Sequence, residues 1–283
     1  MNPLVSLITP VFNAMPYLRD YLDSVLAQTW RPLECIFVDD GSTDGSRACL
    51  SEYLPALERA GISARLLPIT HAGQAAAINA ALPLVSGEYL TWCDADDLLM
   101  PDSIARKADY LNQFPALGLV RSDGIVLDGD SGRQLARSAG EADRFTQNIF
   151  DALFHGTTYC YAGCYMVRTD LLFTCYPEKK IPFSPEGQNL QLLLPPASRS
   201  DCGFLPEALH CYCRRSSGHS SRKHSYSEAN ARLQNFSKLR REILPYCRCD
   251  AARYLAADQA IVKKEQYALC RAAAAQARKE RHK

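Results

Sequence analysis

The sequence predicts an α/β protein with a mostly parallel sheet that has helices on both faces, followed by a C-terminal helical extension. In the N-terminal third, short apolar runs rich in β-branched residues alternate with segments of helical periodicity, in the order βαβαβαβ. The runs stop abruptly at polar or acidic residues, as buried strands do at the edge of a sheet. The composition is typical of a globular protein, with 47% hydrophobic and 22% charged residues.

Four strands and three helices are expected in this N-terminal third. The strands are expected at residues 4–9, 33–38, 64–68 and 88–93. The helices are expected at residues 17–29, 44–60 and 74–84, with Ser42 or Thr43 as the cap of the second helix. Farther along, we expect a helix at residues 102–114, a strand at residues 117–121, a hairpin turn at residues 128–132 and helices over residues 229–283.

Composition and short motifs disfavour several classes of protein. The net charge of +1 gives no strong field that would attract nucleic acid. No G-x-G-x-x-G motif follows the first strand and no G-x-x-x-x-G-K-S/T motif occurs, which disfavours dinucleotide oxidoreductases and P-loop NTPases. The sequence has neither a secretory signal pattern nor an apolar run of about 18 residues. We therefore expect a cytoplasmic protein, in which the 12 cysteines are reduced thiols.

Two acidic clusters follow predicted strands. Residues 94–96 (Asp-Ala-Asp) come directly after the fourth strand, and residues 39–42 (Asp-Asp-Gly-Ser) come after the second. Ligands of parallel α/β sheets bind at the carboxyl ends of the strands, so both clusters are expected at one edge. Two carboxylates in a D-x-D pair suit Mn²⁺ or Mg²⁺, which leave coordination sites for phosphate oxygens. The alternative is that Asp96 and Asp97 cap the helix that follows.

The cluster after the second strand has two interpretations. It can be a turn followed by a helix cap, which needs only Ser42 or Thr43. It can also place an acid, Asp40, where it accepts hydrogen bonds from a ribose or a base. Two consecutive aspartates before Gly41 are more than a cap requires. Gly73 supplies a flexible loop beside the same site.

Taken together, these segments resemble family 2 glycosyltransferases, which have the Rossmann-like GT-A fold. The resemblance covers residues 4–125 and is carried, in order, by residues 5–13, 37–46, 79, 87–89 and 94–101. It implies a nucleotide-sugar donor, with UDP as the expected nucleotide, and Mn²⁺ or Mg²⁺ held by Asp96 and Asp94. Asp40 would contact the base, and Asp94 the ribose or the diphosphate. The donor-binding residues that the resemblance implies are Thr9, Pro10, Phe12, Asn13, Asp40, Gly41, Ser42, Gly73, Asn79, Asp94, Ala95 and His219.

The resemblance also implies how the chain is divided. Residues 1–125 would bind the nucleotide sugar, residues 126–220 would bind the acceptor and supply the catalytic base, and residues 221–283 would form the C-terminal helical extension. Enzymes of this family invert the anomeric centre, so one carboxylate must deprotonate the acceptor hydroxyl. Many relatives carry a Glu-Asp pair in the second half. Glu186 aligns with the first acid of that pair, and Gly187 replaces the second.

Two candidates for the catalytic base are therefore open. Glu186 is the first, although it can also be a loop acid that caps the next helix, and Asp123, which follows the fifth strand, is the second. A basic loop that contains Arg214, Arg215 and His219 would close over the diphosphate, or would be a solvated linker to the C-terminal helices.

Residues 187–195 resemble a segment of bacterial O-antigen and capsule enzymes, which implies a glycan or an undecaprenyl-diphosphate-linked saccharide as acceptor. The Q-x-x-R-W element of processive synthases is absent, so we expect a metal-dependent, inverting hexosyltransferase that moves one sugar. The basic C-terminal helix would contact the cytoplasmic face of the inner membrane, or would only solubilise the helix end. Two other functions stay open: a non-catalytic nucleotide-sugar-binding module, and a sugar-phosphate nucleotidyltransferase, which should carry a Gly-rich, basic loop that residues 10–15 lack.

Overall fold

The computed structural model describes residues 2–215 and 224–281, and it describes side chains over residues 2–215 and 224–273. The strands are β1 (Val5–Val11), β2 (Leu33–Asp39), β3 (Ile62–Pro68), β4 (Tyr89–Trp92), β5 (Leu98–Leu99), β6 (Leu119–Asp128), β7 (Gln134–Arg137), β8 (Tyr165–Arg168) and β9 (Cys202–Arg214). The α-helices are α1 (Leu18–Leu26), α2 (Ser46–Arg59), α3 (Gln74–Ala81), α4 (Ser103–Gln113), α5 (Phe150–His155), α6 (Thr169–Cys175), α7 (Asn189–Ala197), α8 (Tyr226–Ile243) and α9 (Ala251–Arg281).

The N-terminal part of the sheet is parallel, as the sequence predicts. β2 pairs with β1 and β3, and β1 pairs with β4, all in parallel register. Every residue of β1 and β2 is buried. Alternate side chains of β1 enter different cores: Leu7 packs with residues of α1 and α2, whereas Ile8 packs with residues of α3. This burial on both faces explains why the strands are continuous apolar runs in the sequence.

The second half of the sheet is mixed. β8 runs antiparallel between β4 and β6, β9 runs parallel to β6, and β5 runs antiparallel to β9. β7 forms the predicted hairpin with β6. The strand order is β3-β2-β1-β4-β8-β6-β9-β5. The α/β class is confirmed, and the uninterrupted parallel arrangement is limited to the first four strands.

β9 brings the second half of the chain to the acidic end of β4. Its first residues pair with β6, and Cys211 near its end pairs with Leu98 of β5, just after the D-x-D pair. The backbone of Cys213 and the side chain of Arg215 then contact Asp97 and Asp96, respectively. This connection creates one site from two distant parts of the sequence.

The start of α2 differs from the prediction. Neither Ser42 nor Thr43 caps the helix: its N-cap residue is Gly45, which has a left-handed φ of 93° and makes no side-chain cap. The carboxylate of Asp44 instead accepts hydrogen bonds from N and Oγ of Ser46. Because the carboxylate of Asp44 already binds the first residue of the helix, Ser42 and Thr43 contact the loop after β1.

The C-terminal helices α8 and α9 pack against each other around a buried acid. Asp258 of α9 is fully buried and accepts hydrogen bonds from Ser237, Arg240 and Arg241 of α8. α8 begins with a capping box at Ser225. Among the described residues, no helix combines the length and apolar character needed to cross a bilayer.

Candidate functional site

The loop after β4 places three carboxylates at the carboxyl edge of the parallel strands. Asp94 is half-buried, and its Oδ1 accepts a 3.1 Å hydrogen bond from Nε2 of Gln188. Ala95 is buried, whereas the side chain of Asp96 is 50% exposed. Asp94 and Asp96 therefore offer carboxylate oxygens at the surface, and the third acid, Asp97, lies beneath them.

Asp97 anchors this loop to β9. Its Oδ1 accepts a 2.9 Å hydrogen bond from the backbone N of Cys213, and its Oδ2 lies 3.2 Å from Nε2 of the fully buried His210. The helix that follows, α4, has Asp102 as its N-cap residue, so neither Asp96 nor Asp97 caps it. The capping alternative for the D-x-D pair is therefore wrong.

The electrostatics of the loop favour a bound cation. Burial raises the pKa of Asp94 to about 7, and the charges of Asp97 and Asp96 add to the shift. The pKa of Asp96 is raised too, by partial burial first and by Asp97 second. A divalent cation relieves such repulsion. The oxygen donors of Asp94 and Asp96 fit Mn²⁺ or Mg²⁺, although the described residues contain no cluster of three His, Cys, Asp or Glu ligands.

A guanidinium group of the protein lies against the same acid. Nη1 of Arg215 is 3.2 Å from Oδ2 of Asp96 and 2.8 Å from its backbone O. The guanidinium carbon lies 3.6 Å from the ring centroid of Tyr17, just before α1. The basic loop of the sequence analysis thus begins at the D-x-D pair, and His219 of that loop lies outside the described residues.

The two aspartates after β2 have different contacts. Asp39 is fully buried, and its Oδ2 accepts a 2.7 Å hydrogen bond from Nε of Arg47 on α2. Asp40 accepts hydrogen bonds of 2.8 Å at each carboxylate oxygen from the backbone amides of residues 72–73. Asp39, whose Oδ1 also accepts a hydrogen bond from N of Ser42, therefore joins its own loop to α2, while Asp40 joins that loop to the start of α3.

An exposed aromatic surface lies next to Asp40. The rings of Phe12 and His71 stack with centroids 4.0 Å apart and an interplanar angle of 19°. Phe12 is 46% exposed, and Nδ1 of His71 lies 2.9 Å from Oδ2 of Asp40. A planar aromatic face at this edge is suited to stacking against a nucleobase.

The loops after β1 and β2 are fastened to each other. Asn13 has a left-handed φ of 48°; its Oδ1 accepts a 2.8 Å hydrogen bond from N of Thr43, and its own N donates to Oγ of Ser42. Gly41 has a φ of 75°, and a Cβ there would lie 3.0 Å from N of His71. These contacts bring Phe12 and Asp40 together. Gly73, with a φ of 90° at the N-cap of α3, completes the same loop cluster.

Three other predicted donor-binding residues make contacts within the fold. Thr9 is fully buried and its hydroxyl is hydrogen-bonded to Tyr21. Pro10 is buried within β1. Asn79 binds the backbone of Ile181 twice, through Nδ2 to O at 3.0 Å and through Oδ1 to N at 2.8 Å. Thr9 and Pro10 are therefore buried and Asn79 is half-buried, and their direct contacts with a donor stay predictions.

Glu186 lies in the segment that precedes α7. It is 7% exposed, and its Oε2 lies 3.2 Å from Nε of Arg232 on α8. Gln188, two residues farther on, makes the hydrogen bond to Asp94. The structure therefore places Glu186 in the segment that borders the D-x-D pair.

The structure argues against Asp123 as a free base. β6 is longer than predicted, so this residue lies inside a strand and is fully buried. Its Oδ1 accepts hydrogen bonds from the backbone N of Gly124 and Ala139, and its Oδ2 lies 2.7 Å from Nη2 of Arg137 on β7. The sequence pattern ended the strand too early, at Arg121, and therefore placed this acid at an exposed strand end.

Sequence reasoning missed several polar residues around the site. Gln188 and Arg232 meet Asp94 and Glu186 across 94 and 46 positions of sequence, so no local pattern indicates either contact. Lys107 could have been found from the sequence, because a lysine on the buried face of an amphipathic helix such as α4 is unusual. Its Nζ donates a hydrogen bond to a backbone carbonyl, and burial lowers its pKa to about 8.

The fold and the acidic site define a protein of the glycosyltransferase class with the GT-A fold. A family model described as glycosyl transferase family 2 matches residues 6–173, which is more than half of the chain. The chain belongs to this family.

Two curated relatives each match less than half of the chain. It is 36% identical over 133 residues to the putative teichuronic acid biosynthesis glycosyltransferase TuaG of Bacillus subtilis, covering 45% of this chain and 52% of TuaG. It is 35% identical over 113 residues to the uncharacterized glycosyltransferase RT0329 of Rickettsia typhi, covering 40% of this chain and 33% of the relative. The match thus spans about half of the first relative and a third of the second.

Solved structures share the fold over nearly the whole chain. The S. aureus TarS fragment 1-349 in complex with UDP-GlcNAc aligns with a TM-score of 0.67 and 17% identity, covering 92% of this chain and 72% of that one. The mannosyltransferase PcManGT of Pyrobaculum calidifontis in complex with GDP-Man and Mn²⁺ aligns with a TM-score of 0.56 and 20% identity, covering 98% and 81%. At these identities the similarity shows the fold alone.

Proposed function

We propose that this chain is an inverting glycosyltransferase that moves a single sugar from a nucleoside-diphosphate sugar to a glycan or lipid-linked saccharide. The observation that carries the proposal is the carboxylate pair of the half-buried Asp94 and the exposed Asp96, at the same sheet edge as the aromatic surface of Phe12 and the loop of Asp40. TarS was crystallised with UDP-GlcNAc and PcManGT with GDP-Man and Mn²⁺, which supports a nucleotide-sugar donor. UDP is the first nucleotide to test.

The proposed donor site extends along the carboxyl edge of β1, β2 and β4. The base would stack on Phe12 and lie close to Asp40, whose carboxylate oxygens keep lone pairs after accepting the two backbone amides. Asp94 would face the ribose or the diphosphate, and Asp96 with Asp94 would hold Mn²⁺ or Mg²⁺. The metal would neutralise the negative charge on the departing diphosphate. Arg215, already at Asp96, would add a second positive group there.

In the proposed reaction, the acceptor hydroxyl attacks the anomeric carbon while the bond to the diphosphate breaks. The hydroxyl proton moves to the carboxylate of Glu186, and the nucleoside diphosphate departs with the electron pair of the broken bond. One displacement at the anomeric carbon inverts its configuration. Glu186 is the candidate base because its segment borders the D-x-D pair, whereas Asp123 lies inside β6 with both carboxylate oxygens held by Arg137 and two backbone amides.

The proposed acceptor belongs to a bacterial surface polysaccharide, as the name of TuaG suggests. A lipid-linked acceptor would place the protein at a membrane surface. α9 presents exposed basic side chains, Lys263, Lys264 and Arg271, before its end at Arg281. These residues would attract anionic lipid headgroups, so vesicle flotation with and without anionic lipid tests this part of the proposal.

The donor site is tested by calorimetric titration of UDP, with and without Mn²⁺, into the wild type, Asp96→Ala and Asp109→Ala. Asp109 is an exposed acid of α4 and serves as the matched control. We expect Mn²⁺-dependent binding of UDP that weakens at least about tenfold in Asp96→Ala and persists in Asp109→Ala. GDP and dTDP are tested if UDP does not bind. If the wild type and Asp96→Ala bind each nucleotide with the same affinity, the D-x-D pair is not the metal and diphosphate site.

A non-catalytic nucleotide-sugar-binding module is the second candidate. One observation favours it: both candidate bases are ion-paired, Asp123 with Arg137 and Glu186 with Arg232. Release of nucleoside diphosphate from the nucleotide sugar, with and without saccharide acceptors, separates the two functions. A transferase shows acceptor-dependent release that Glu186→Gln abolishes, whereas a binding module binds the donor and releases nothing.

A further inference from the structure

The C-terminal extension contacts the proposed site through one face of α8. Nε of Arg232 lies 3.2 Å from Oε2 of Glu186. One turn later on the same helix, a ring carbon of Phe236 lies 3.7 Å from where a Cβ of Gly187 would be. Residues four apart on a helix share a face. α8 therefore covers two consecutive residues of the segment before α7.

That segment contacts β4 on its other side. Nε2 of Gln188 donates to Oδ1 of Asp94 at 3.1 Å, and Oδ1 of Asn189 accepts a 2.7 Å hydrogen bond from Nε1 of Trp92. Residues 186–189 thus lie between α8 and the end of β4, which the D-x-D pair follows. The segment that contacts α8 therefore also borders the acidic loop.

The ion pair is the charged contact that holds Glu186 in place. The side chain of Glu186 is 8% exposed and that of Arg232 is 30% exposed. A carboxylate at this burial needs a charged or hydrogen-bonded partner, because otherwise it rotates toward water. Arg232 is itself oriented by His224, whose Nε2 lies 2.6 Å from its Nη1. Gly187, with a φ of 58°, is a point at which the backbone can turn if the pair is lost.

We propose that Arg232 is a positioning residue that makes the C-terminal helices a working part of the transfer site. It holds Oε2 of Glu186, so that Oε1 meets the proton of the acceptor hydroxyl. This inference rests on the proposed function, since it assigns Arg232 a role in the same proton transfer. The C-terminal extension is then required for turnover as well as for stability.

The test compares Arg232→Met and Arg232→Lys with the control Arg241→Met in the full-length chain. Arg241 lies on the same helix, and its Nε is 2.9 Å from Oδ2 of the buried Asp258, so the control removes the same kind of ion pair away from the site. The measurements are kcat and KM for the nucleotide sugar, UDP binding with Mn²⁺, and amide hydrogen exchange over residues 184–191.

We expect Arg232→Met to lower kcat at least about tenfold. Its KM for the donor and its UDP affinity should stay within about twofold of the wild-type values, because the donor contacts other residues. Arg232→Lys should recover part of kcat, and exchange over residues 184–191 should rise in Arg232→Met only. Arg241→Met should keep the wild-type kcat.

Two outcomes overturn the inference. One is a wild-type kcat in Arg232→Met. The other is an equal loss of kcat in Arg241→Met, because that loss would show that any loss of an ion pair in α8 lowers kcat by destabilising the protein. A wild-type protein that binds UDP and transfers no sugar instead overturns the proposed function. The two failures are therefore distinguished by the wild-type measurement alone.

Discussion

Nε2 of Gln188 donates a hydrogen bond to Oδ1 of Asp94, and this contact joins the two halves of the chain at the acidic loop. Gln188 is the N-cap residue of α7 and is 2% exposed. Its amide is neutral, so it binds the carboxylate without adding charge to a loop in which Asp96 and Asp97 already raise the pKa of Asp94. The identity of residue 188 should therefore affect both stability and metal binding.

Replacement of Gln188 by glutamate should destabilise the metal-free protein. Gln188→Glu places a further carboxylate within hydrogen-bond distance of Asp94. We expect the free energy of unfolding at pH 8 to fall by on the order of 2 kcal/mol, and Mn²⁺ should restore part of it. Gln188→Ala is the control, which should lose about 1 kcal/mol with little dependence on Mn²⁺. Urea unfolding with EDTA or Mn²⁺ measures both. Equal stability of Gln188→Glu and the wild type in EDTA would contradict this account of the loop.

The raised pKa of Asp94 predicts a pH-dependent stability. Because the folded-state pKa of about 7 exceeds the value of about 4 for an unfolded aspartate, the stabilising contribution is complete below pH 4 and is lost as the pH rises through 7. Asp94→Asn removes this titration and keeps an oxygen for Gln188. The free energy of unfolding of Asp94→Asn, taken relative to that of the wild type, should therefore increase by on the order of 2 kcal/mol from pH 5 to pH 8. Urea unfolding in EDTA at both pH values tests this, and a constant difference would contradict it.

Asp40 and Asp39 should respond differently to substitution by asparagine. Asp40→Asn points an amide N–H₂ at one of the two backbone donors of residues 72–73, which should destabilise the protein by about 1–3 kcal/mol and weaken UDP binding at least about tenfold. Asp39→Asn disturbs the contact with Arg47 and should change stability with little effect on UDP binding. Urea unfolding and calorimetry compare the two variants. If Asp40→Asn and Asp39→Asn bind UDP with similar affinities, Asp40 does not contact the donor.

Loss of Asp258 should separate the C-terminal helices. Asp258→Ala leaves the buried guanidinium of Arg240 without its carboxylate, and we expect a loss of about 3 kcal/mol. Limited proteolysis should then cleave between α8 and α9 before the rest of the chain. Glu265→Ala, which changes an exposed acid on α9, is the control and should keep the wild-type cleavage pattern.

The N-terminal half of the fold could be predicted closely. β2 was expected at residues 33–38 and is Leu33–Asp39, and α3 was expected from residue 74 and begins at Gln74. These strands lie between two layers of helices, so each is a continuous apolar run in the sequence. The cap of α2 was predicted wrongly, because Asp44 binds Ser46 and leaves Ser42 to the neighbouring loop.

The second half was harder to predict because its strands are short or irregular. β8 has four residues, and β9 contains Pro206 and Glu207, and its pairing with β6 shifts register. Such strands are stabilised by contacts with distant parts of the chain and have weak local patterns. Asp123 was misplaced for this reason, since the continuation of β6 past Arg121 depends on its pairing with β9.

The sequence by itself determined the parallel α/β class, the two acidic clusters at strand ends, and the family that they resemble. These follow from local patterns: apolar periodicity sets the strands, and the residues just after each strand lie at the sheet edge. Only the tertiary structure decided which of these acids are exposed, that Gln188 meets Asp94, and that Arg232 meets Glu186. Contacts between residues far apart in sequence depend on how β9 and α8 pack, and that packing leaves no local signal.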